Sequence, residues 1–412
     1  MNLKKPYFST IFFLALVSGL PLALTSSTLQ AWYTVSGVSL IAIGWLTLIG
    51  QPYAFKFLWA PLLDQWSPLS YDRRRSWMLI SQVLLVVFLT FMAFLNPAHQ
   101  PVFLAVIALL VAVCSATFDT VFDAYRTEIL PEPERGVGTS IYTIAYRIAM
   151  IFSSAIALML AAKIGWRATY LIMAASMLGL IIATIRADRA PVTTRSSLTF
   201  LTVREAIVMP LCAFLARKNA LIILLFIVLY KLPDALALSL NTTFLIRAMH
   251  FDLMTIGAIS KTAGLIALLL GSALGGLLLS RMSVIRALLF FGILQALSNL
   301  LYVWLIYAGT NVSVMAAAVS GEYFCSGLST VAFVVFLMSL CDQRYTATHY
   351  ALFSAVASLG RIFIGPIAAV LVERVGWVDF YITSALIGIP ALALLWCIHN
   401  ADKAVETACV SD

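Results

Sequence analysis

Apolar runs of about 20 residues or more recur from one end of the chain to the other, separated by short clusters of charge, Gly and Pro. At 1.5 Å per residue, each is long enough as a helix to cross a hydrocarbon core about 30 Å thick. The breaks place about twelve membrane-spanning helices, at 8–35, 40–62, 76–96, 101–124, 136–161, 167–186, 218–246, 253–279, 284–308, 312–340, 346–372 and 377–399. The pattern predicts an all-α polytopic membrane protein. An even number of spans puts both termini on one side.

The longest interruption is at 190–217, where APVTTRSS leads into the more amphipathic REAIVMPLCAFLARK. Its polar start reads as a linker and its remainder as a helix lying at the membrane interface. It divides the chain into a six-helix half at 1–189 and a second at 218–412. The halves echo each other at offsets of 211 to 214 residues: Leu20-Pro21-Leu22-Ala23-Leu24 against Leu232-Pro233-Asp234-Ala235-Leu236, Ser140 and Arg147 against Ser354 and Arg361, and Gly165-Trp166 with Tyr170 against Gly376-Trp377 with Tyr381. Echoes in one order at nearly one spacing indicate an internal repeat. A duplicated six-helix unit joined by an intracellular linker resembles the major facilitator superfamily. That resemblance implies a substrate path between the halves and alternating access by rocking one half on the other.

Composition agrees with a lipid environment, since 62% of the residues are hydrophobic and 11% charged, against roughly 25% charged in an average soluble domain. With the N-terminus inside, seventeen Lys and Arg fall in cytoplasmic segments and four on the opposite side. This positive-inside bias accounts for the net charge of +8 without a nucleic-acid partner. The six cysteines form no CxxC pair and the four His are isolated, so no metal, cofactor or catalytic constellation is expected. A membrane-embedded transferase would need such residues at a membrane–water boundary. A monomer solvated by lipid is the expected state.

Charges inside the spans carry the functional reading. Lys56, Arg147, Lys231, Lys261 and Arg361 are basic, and Asp119, Asp234 and Glu322 are acidic. Each costs at least about 2.5–3.5 kcal/mol near the bilayer centre unless it meets water or a partner. Lys231 and Asp234, three apart, share a helix face beside Pro233 and can pair. Five cations against three carboxylates leave a surplus, so an anionic substrate is expected to complete the set. Gln30, Trp32, Gln51, Tyr53 and Asn241 could stack against and hydrogen-bond a sugar. Asp119, Glu322 and Asp234 are candidates for proton coupling, because burial and a nearby cation pull a carboxyl's proton affinity in opposite directions. Nearer the ends, Asp64, Arg73, Arg74, Arg75, Asp123 and Arg126 either anchor the helices at the surface or form an ionic latch. Gly271, Gly275 and Ala267 have the spacing of a close helix contact. Thr25, Ser26 and Asn241 are expected to face the pathway at the proline bends, and Leu85 and Leu269 to face lipid.

The strings SGLPLALTSSTLQAW (Ser18–Trp32), FKFLWAPLLD (Phe55–Asp64), FDTVFDAYRTEILP (Phe118–Pro131), VLYKLPDALALSLNTTFLIR (Val228–Arg247) and GRIFIGP (Gly360–Pro366) resemble the AmpG muropeptide permeases over nearly the whole chain. The resemblance implies proton-coupled import of N-acetylglucosaminyl-1,6-anhydro-N-acetylmuramyl peptides across the bacterial inner membrane for peptidoglycan recycling, with a link to β-lactamase induction. Such a cargo is an anionic glycopeptide. Two departures stand out: the facilitator loop pattern is imperfect, with Ala60 in the Gly place and an insertion between Asp64 and Arg73, and some relatives have extra C-terminal helices whereas this chain ends soon after its twelfth span. The alternative cargo within this fold is another amphipathic anion, siderophore-like or acyl-CoA-like.

Overall fold

A computed structural model describes residues 6–68, 72–131, 135–189, 220–340, 353, 356–358 and 363–396. The linker at 190–217, Arg361 and most of the expected eleventh span before residue 363 lie outside the described residues. Among the described residues the elements are helices and no strand is present. Among the described residues nine helices are long and apolar enough to cross a membrane. The fifth and sixth expected spans run on together through Ile141–Arg186, the described end of the eleventh runs on into the twelfth through Ile364–Trp396, and the second is a shorter apolar stretch at Leu40–Phe55.

The two continuous pairs turn at equivalent residues. Gly165 (φ 81°) and Gly376 (φ 78°) adopt the left-handed region that glycine enters without a Cβ clash. Tyr170 and Tyr381, five residues on, are both wholly buried. Trp166 stacks on Trp32 and Trp377 packs on Phe244. The sequence echo is therefore a repeated backbone turn with a repeated aromatic anchor.

The second span is not the single helix 40–62 that its hydropathy suggests. It is broken into Leu40–Trp45, a 3-10 segment Leu46–Gly50, Gln51–Phe55, a 3-10 turn Lys56–Leu58 and Ala60–Gln65. Pro52 and Pro61 each sit in the first turn of a new helical piece, where a missing N–H costs nothing. The first span breaks at Ser26, between Pro6–Thr25 and Ser27–Val35. There Thr25 Oγ1 donates to the Pro21 carbonyl at 3.1 Å and Ser26 Oγ to the Leu22 carbonyl at 2.6 Å, so hydroxyls occupy the acceptors that the next turn of backbone would use. The seventh span is interrupted at Lys231 and again at Leu240. The charges Arg73–Arg75 form the first turn of helix Arg73–Ala93, and Asp123–Arg126 lie in the last two turns of Pro101–Ile129, at the ends of the spans as expected.

By packing, the chain divides into two compact units. One holds the described residues up to 189 together with Leu245–Arg247 and Phe251–Lys261, and the other holds the remaining described residues from 220 onward. In the first, helix Arg73–Ala93 packs on both Pro101–Ile129 and Ala157–Arg186, and Pro6–Thr25 packs on Arg135–Ile151. Leu85 is consequently buried with Met78, Gln82, Leu89 and Met92, not exposed to lipid as expected, while Val83 and Val87 are exposed. Arg247 belongs to this unit because its guanidinium donates to the carbonyls of Thr34 and Val38.

In the second unit, helix Thr262–Leu279 lies against Val312–Ser339. A Cβ on Gly271 would stand 2.1 Å from the Phe324 carbonyl oxygen, and one on Gly327 2.4 Å from that of Leu268. The two backbones touch where the small-residue spacing predicts it. Gly271→Leu is expected to cost about 1–3 kcal/mol through overpacking, read as a lower unfolding midpoint in detergent. Gly276→Leu, where a Cβ meets nothing within 4 Å, is the control and should leave the midpoint in place.

Candidate functional site

Polar groups concentrate in two clusters, one in each unit. The first is built on helix Pro101–Ile129, where Asp119 and Asp123 are one turn apart and share a face. Ser18 Oγ donates to Asp119 Oδ1 at 2.6 Å. Asp123 lies 3.8 Å from Lys56 Nζ and 3.2 Å from Arg126 Nη2, and the Arg126 guanidinium stacks 4.1 Å from the Tyr142 ring centre. The Lys56 and Asp123 side chains are 34% and 45% exposed, so their attraction is worth no more than about 1 kcal/mol and leaves Lys56 available to an anion. Gln51 Oε1 and Tyr53 Oη are buried and have no hydrogen-bond partner among the described residues. Arg147, half-buried on helix Arg135–Ile151, makes no ion pair among the described residues and reaches only Met150 Sδ at 3.9 Å. Lys261 closes the π-helical turn Ile256–Lys261.

The other predicted residues of this unit are engaged in packing. Gln30 is buried, and Trp32 is stacked between Trp166 at 5.6 Å and Tyr170 at 5.0 Å. Arg74 is buried and bound by Glu128, with Nη2 2.6 Å from Oε1. Arg75 donates to the Ile185 carbonyl. Arg73 opens helix Arg73–Ala93, and the side chain of Asp64 lies outside the described part.

The second cluster joins the broken seventh span to helices Val284–Ser298 and Val312–Ser339. Lys231 Nζ donates to Asp234 Oδ2 at 3.3 Å, Ser329 Oγ at 3.0 Å and Thr330 Oγ1 at 2.8 Å. Ser326 Oγ adds a bond to Asp234 Oδ2 at 3.1 Å. Gln295 Nε2 donates to the wholly buried Glu322 at 3.2 Å, and Ser329 Oγ lies 3.4 Å from Gln295 Oε1. Asn241 Nδ2 donates to Tyr302 Oη at 3.0 Å, and Tyr302 stacks on Tyr381 at 4.7 Å.

The expected pair Lys231–Asp234 is thus present, and it brings Glu322 with it. Ser18, Gln295, Ser326 and Ser329 are the partners that the sequence does not single out. A single Ser or Gln in an apolar helix gives no signal of what it bonds, so only the three-dimensional contact identifies them. Among the described residues no group of His, Cys, Asp and Glu could hold a metal ion.

Residues 11–360 match the model of the Major Facilitator Superfamily. The chain is 46% identical over 393 residues to the anhydromuropeptide permease of Escherichia coli strain K12, covering 95% of this chain and 79% of that protein. It is 29% identical over 405 residues to putative transporter AmpG 1 of Rickettsia bellii, covering 95% and 98%. Among solved structures, the nucleoside transporter NupG superposes with a TM-score of 0.72 at 15% identity, covering 96% of this chain and 99% of that one. The D-xylose-proton symporter gives 0.69 at 13%, covering 94% and 96%. Fold and relatives together define a multi-pass membrane transporter and not an enzyme. The chain belongs to the major facilitator superfamily and, within it, to the family of the anhydromuropeptide permeases.

Proposed function

We propose that the chain imports N-acetylglucosaminyl-1,6-anhydro-N-acetylmuramyl peptides across the bacterial inner membrane together with protons, returning wall turnover products for peptidoglycan recycling and for the signal behind β-lactamase induction. The observation that carries this reading is the 46% identity to a protein of that transport class over 95% of the chain. Lys56, Arg147, Lys261 and Arg361 take the cargo's carboxylates. Gln51 and Tyr53, whose buried oxygens have no hydrogen-bond partner among the described residues, meet its hydroxyl and acetamido groups, and Gln30, Trp32 and Asn241 add amide and ring contacts. Lys231 has all three of its donors engaged within its own unit, so it serves the carboxyls beside it. Asp119, Asp234 and Glu322 are the proton-coupling groups. Asp123 with Arg126, and Asp64 with Arg73 and Arg75, form the latch, while Arg74 anchors.

The transporter acts as a lipid-solvated monomer of two six-helix halves, 1–189 and 218–412, joined by a cytoplasmic linker at 190–217. The concentration of basic residues in the linker and the even-numbered loops supports cytoplasmic termini.

Uptake of labelled anhydro-muropeptide into proteoliposomes tests the proposal. An inward proton gradient is expected to drive accumulation above the external concentration, and dissipating the gradient should reduce uptake to equilibration. Equal accumulation without the gradient would remove the coupling. No uptake, together with transport of an acyl-CoA-like or siderophore-like anion, would replace the cargo.

A further inference from the structure

We propose that Asp234 and Glu322 hold one proton between them, and that this shared proton is the ion that drives transport. The second clause rests on the proton-coupled import proposed above; the first does not.

Five side chains of the second unit form a connected run. Glu322 Oε1 accepts from Gln295, Gln295 Oε1 faces Ser329, Ser329 accepts from Lys231, and Lys231 donates to Asp234 Oδ2. The two ends of this run of bonds are the Asp234 and Glu322 carboxyls, which interact side chain to side chain. Both of the remaining oxygens, Asp234 Oδ1 and Glu322 Oε2, are buried and meet no donor among the described residues. An ionised carboxylate can only accept, so two of them cannot bond to each other.

The neighbouring donors are already committed. An ammonium has three N–H bonds, and those of Lys231 go to Asp234 Oδ2, Ser329 and Thr330. The Thr330 hydroxyl is spent on the Ser326 carbonyl at 2.7 Å, and the Ser326 hydroxyl on Asp234 Oδ2. One proton placed between the two carboxyls supplies the missing donor and satisfies both orphaned oxygens at once. It also balances charge, because one ammonium against two carboxylates leaves one uncompensated negative charge in a site where an unpaired ion is costly. The other titratable groups facing the pair are Tyr230, Tyr302, Tyr323, Tyr381 and Cys325; among the described residues Lys231 is the one cation bonded to it.

The location gives the proton something to move. Asp234 follows Pro233 at the start of helix Leu232–Ser239, directly after the break at Lys231, and Glu322 lies in helix Val312–Ser339. A protonated pair ties the broken span to its neighbour. Loss of the proton turns the tie into a contact between like charges, and the helix that starts at Leu232 is released from Glu322.

Infrared spectra of the purified, substrate-free protein through a pH titration read a protonated carboxyl by its C=O stretch. Gln295→Leu removes the donor to Glu322 together with the acceptor of Ser329, and Ser326→Ala removes a donor to Asp234, at opposite ends of the pair. A shared proton requires one band that both variants displace, and that vanishes from its place in both Glu322→Gln and Asp234→Asn. Bands that respond at one end only, or no protonated stretch assignable to either residue, would overturn the shared proton. In proteoliposomes, Glu322→Gln and Asp234→Asn should each lose gradient-driven accumulation yet exchange labelled for unlabelled muropeptide. If the band behaves as required while both amide variants still accumulate cargo, the coupling role is overturned and Asp119 is left to carry it. If wild type transports no muropeptide, the import reading fails and the infrared result still decides the pair.

Discussion

Glu128→Ala is expected to destabilise the transporter by about 3–5 kcal/mol, the cost of removing one member of a buried ion pair. The Arg74 side chain is 4% exposed and that of Glu128 21%. The guanidinium grips the carboxylate in a fork, with Nε 3.3 and 3.2 Å from the two oxygens and Nη2 2.6 Å from one. Removing the carboxylate takes the fork's acceptor away from a buried cation that cannot lose its proton. The double variant Arg74→Leu/Glu128→Leu removes both charges and should recover most of the loss, because a buried pair contributes little beyond an apolar replacement. Unfolding midpoints in detergent for wild type, the single and the double variant read this directly. The pair also separates an anchor from a latch. It joins helices Arg73–Ala93 and Pro101–Ile129, which pack against each other within one unit, so the stable double variant should retain uptake. A variant that is stable but inactive would make Arg74 part of the conformational cycle.

The membrane architecture is legible in the sequence because hydropathy has one dominant cause: a backbone in lipid must bond to itself. Runs of 20 apolar residues therefore become helices with little alternative. The internal echo is legible for a similar reason, since Gly165 and Gly376 stand where the chain needs a positive φ and only glycine supplies it cheaply. The break-up of the second span is less so. Its prolines are visible, but hydropathy averages over Gly50, Pro52 and Pro61, and a proline in a first helical turn leaves mean apolarity unchanged. Leu85 fails for another reason. Without a hydrophobic difference between lipid and protein interior, apolar residues do not report which side of a helix faces which. The charged residues announce themselves by their insertion cost, whereas Ser18, Gln295 and Ser329 are cheap in a helix and acquire meaning only through the carboxyl or ammonium they touch.

Arg147→Ala should raise the muropeptide concentration for half-maximal uptake about 10–100-fold while leaving the fold intact. Arg147 sits on a helix long enough to be in the membrane, is only half-buried, and among the described residues meets nothing stronger than the Met150 thioether at 3.9 Å. A guanidinium with donors to spare in such surroundings binds a carboxylate through charge-assisted hydrogen bonds, worth about 1.5–3 kcal/mol. Losing them weakens the complex by that amount. Because Arg147 makes no ion pair among the described residues, its removal should not lower the unfolding midpoint, which separates this variant from Glu128→Ala. Arg147→Lys keeps the charge but not the fork and is expected to fall between. Amidating the peptide carboxylates of the cargo supplies the cross-check. If Arg147 binds one of them, wild type presented with the amidated cargo should drop to the level of Arg147→Ala, and the variant should not distinguish the two cargoes. Uptake by the alanine variant at the wild-type concentration, or an unchanged response to amidation, would remove Arg147 from the path of the cargo and leave the anion to Lys56, Lys261 and Arg361.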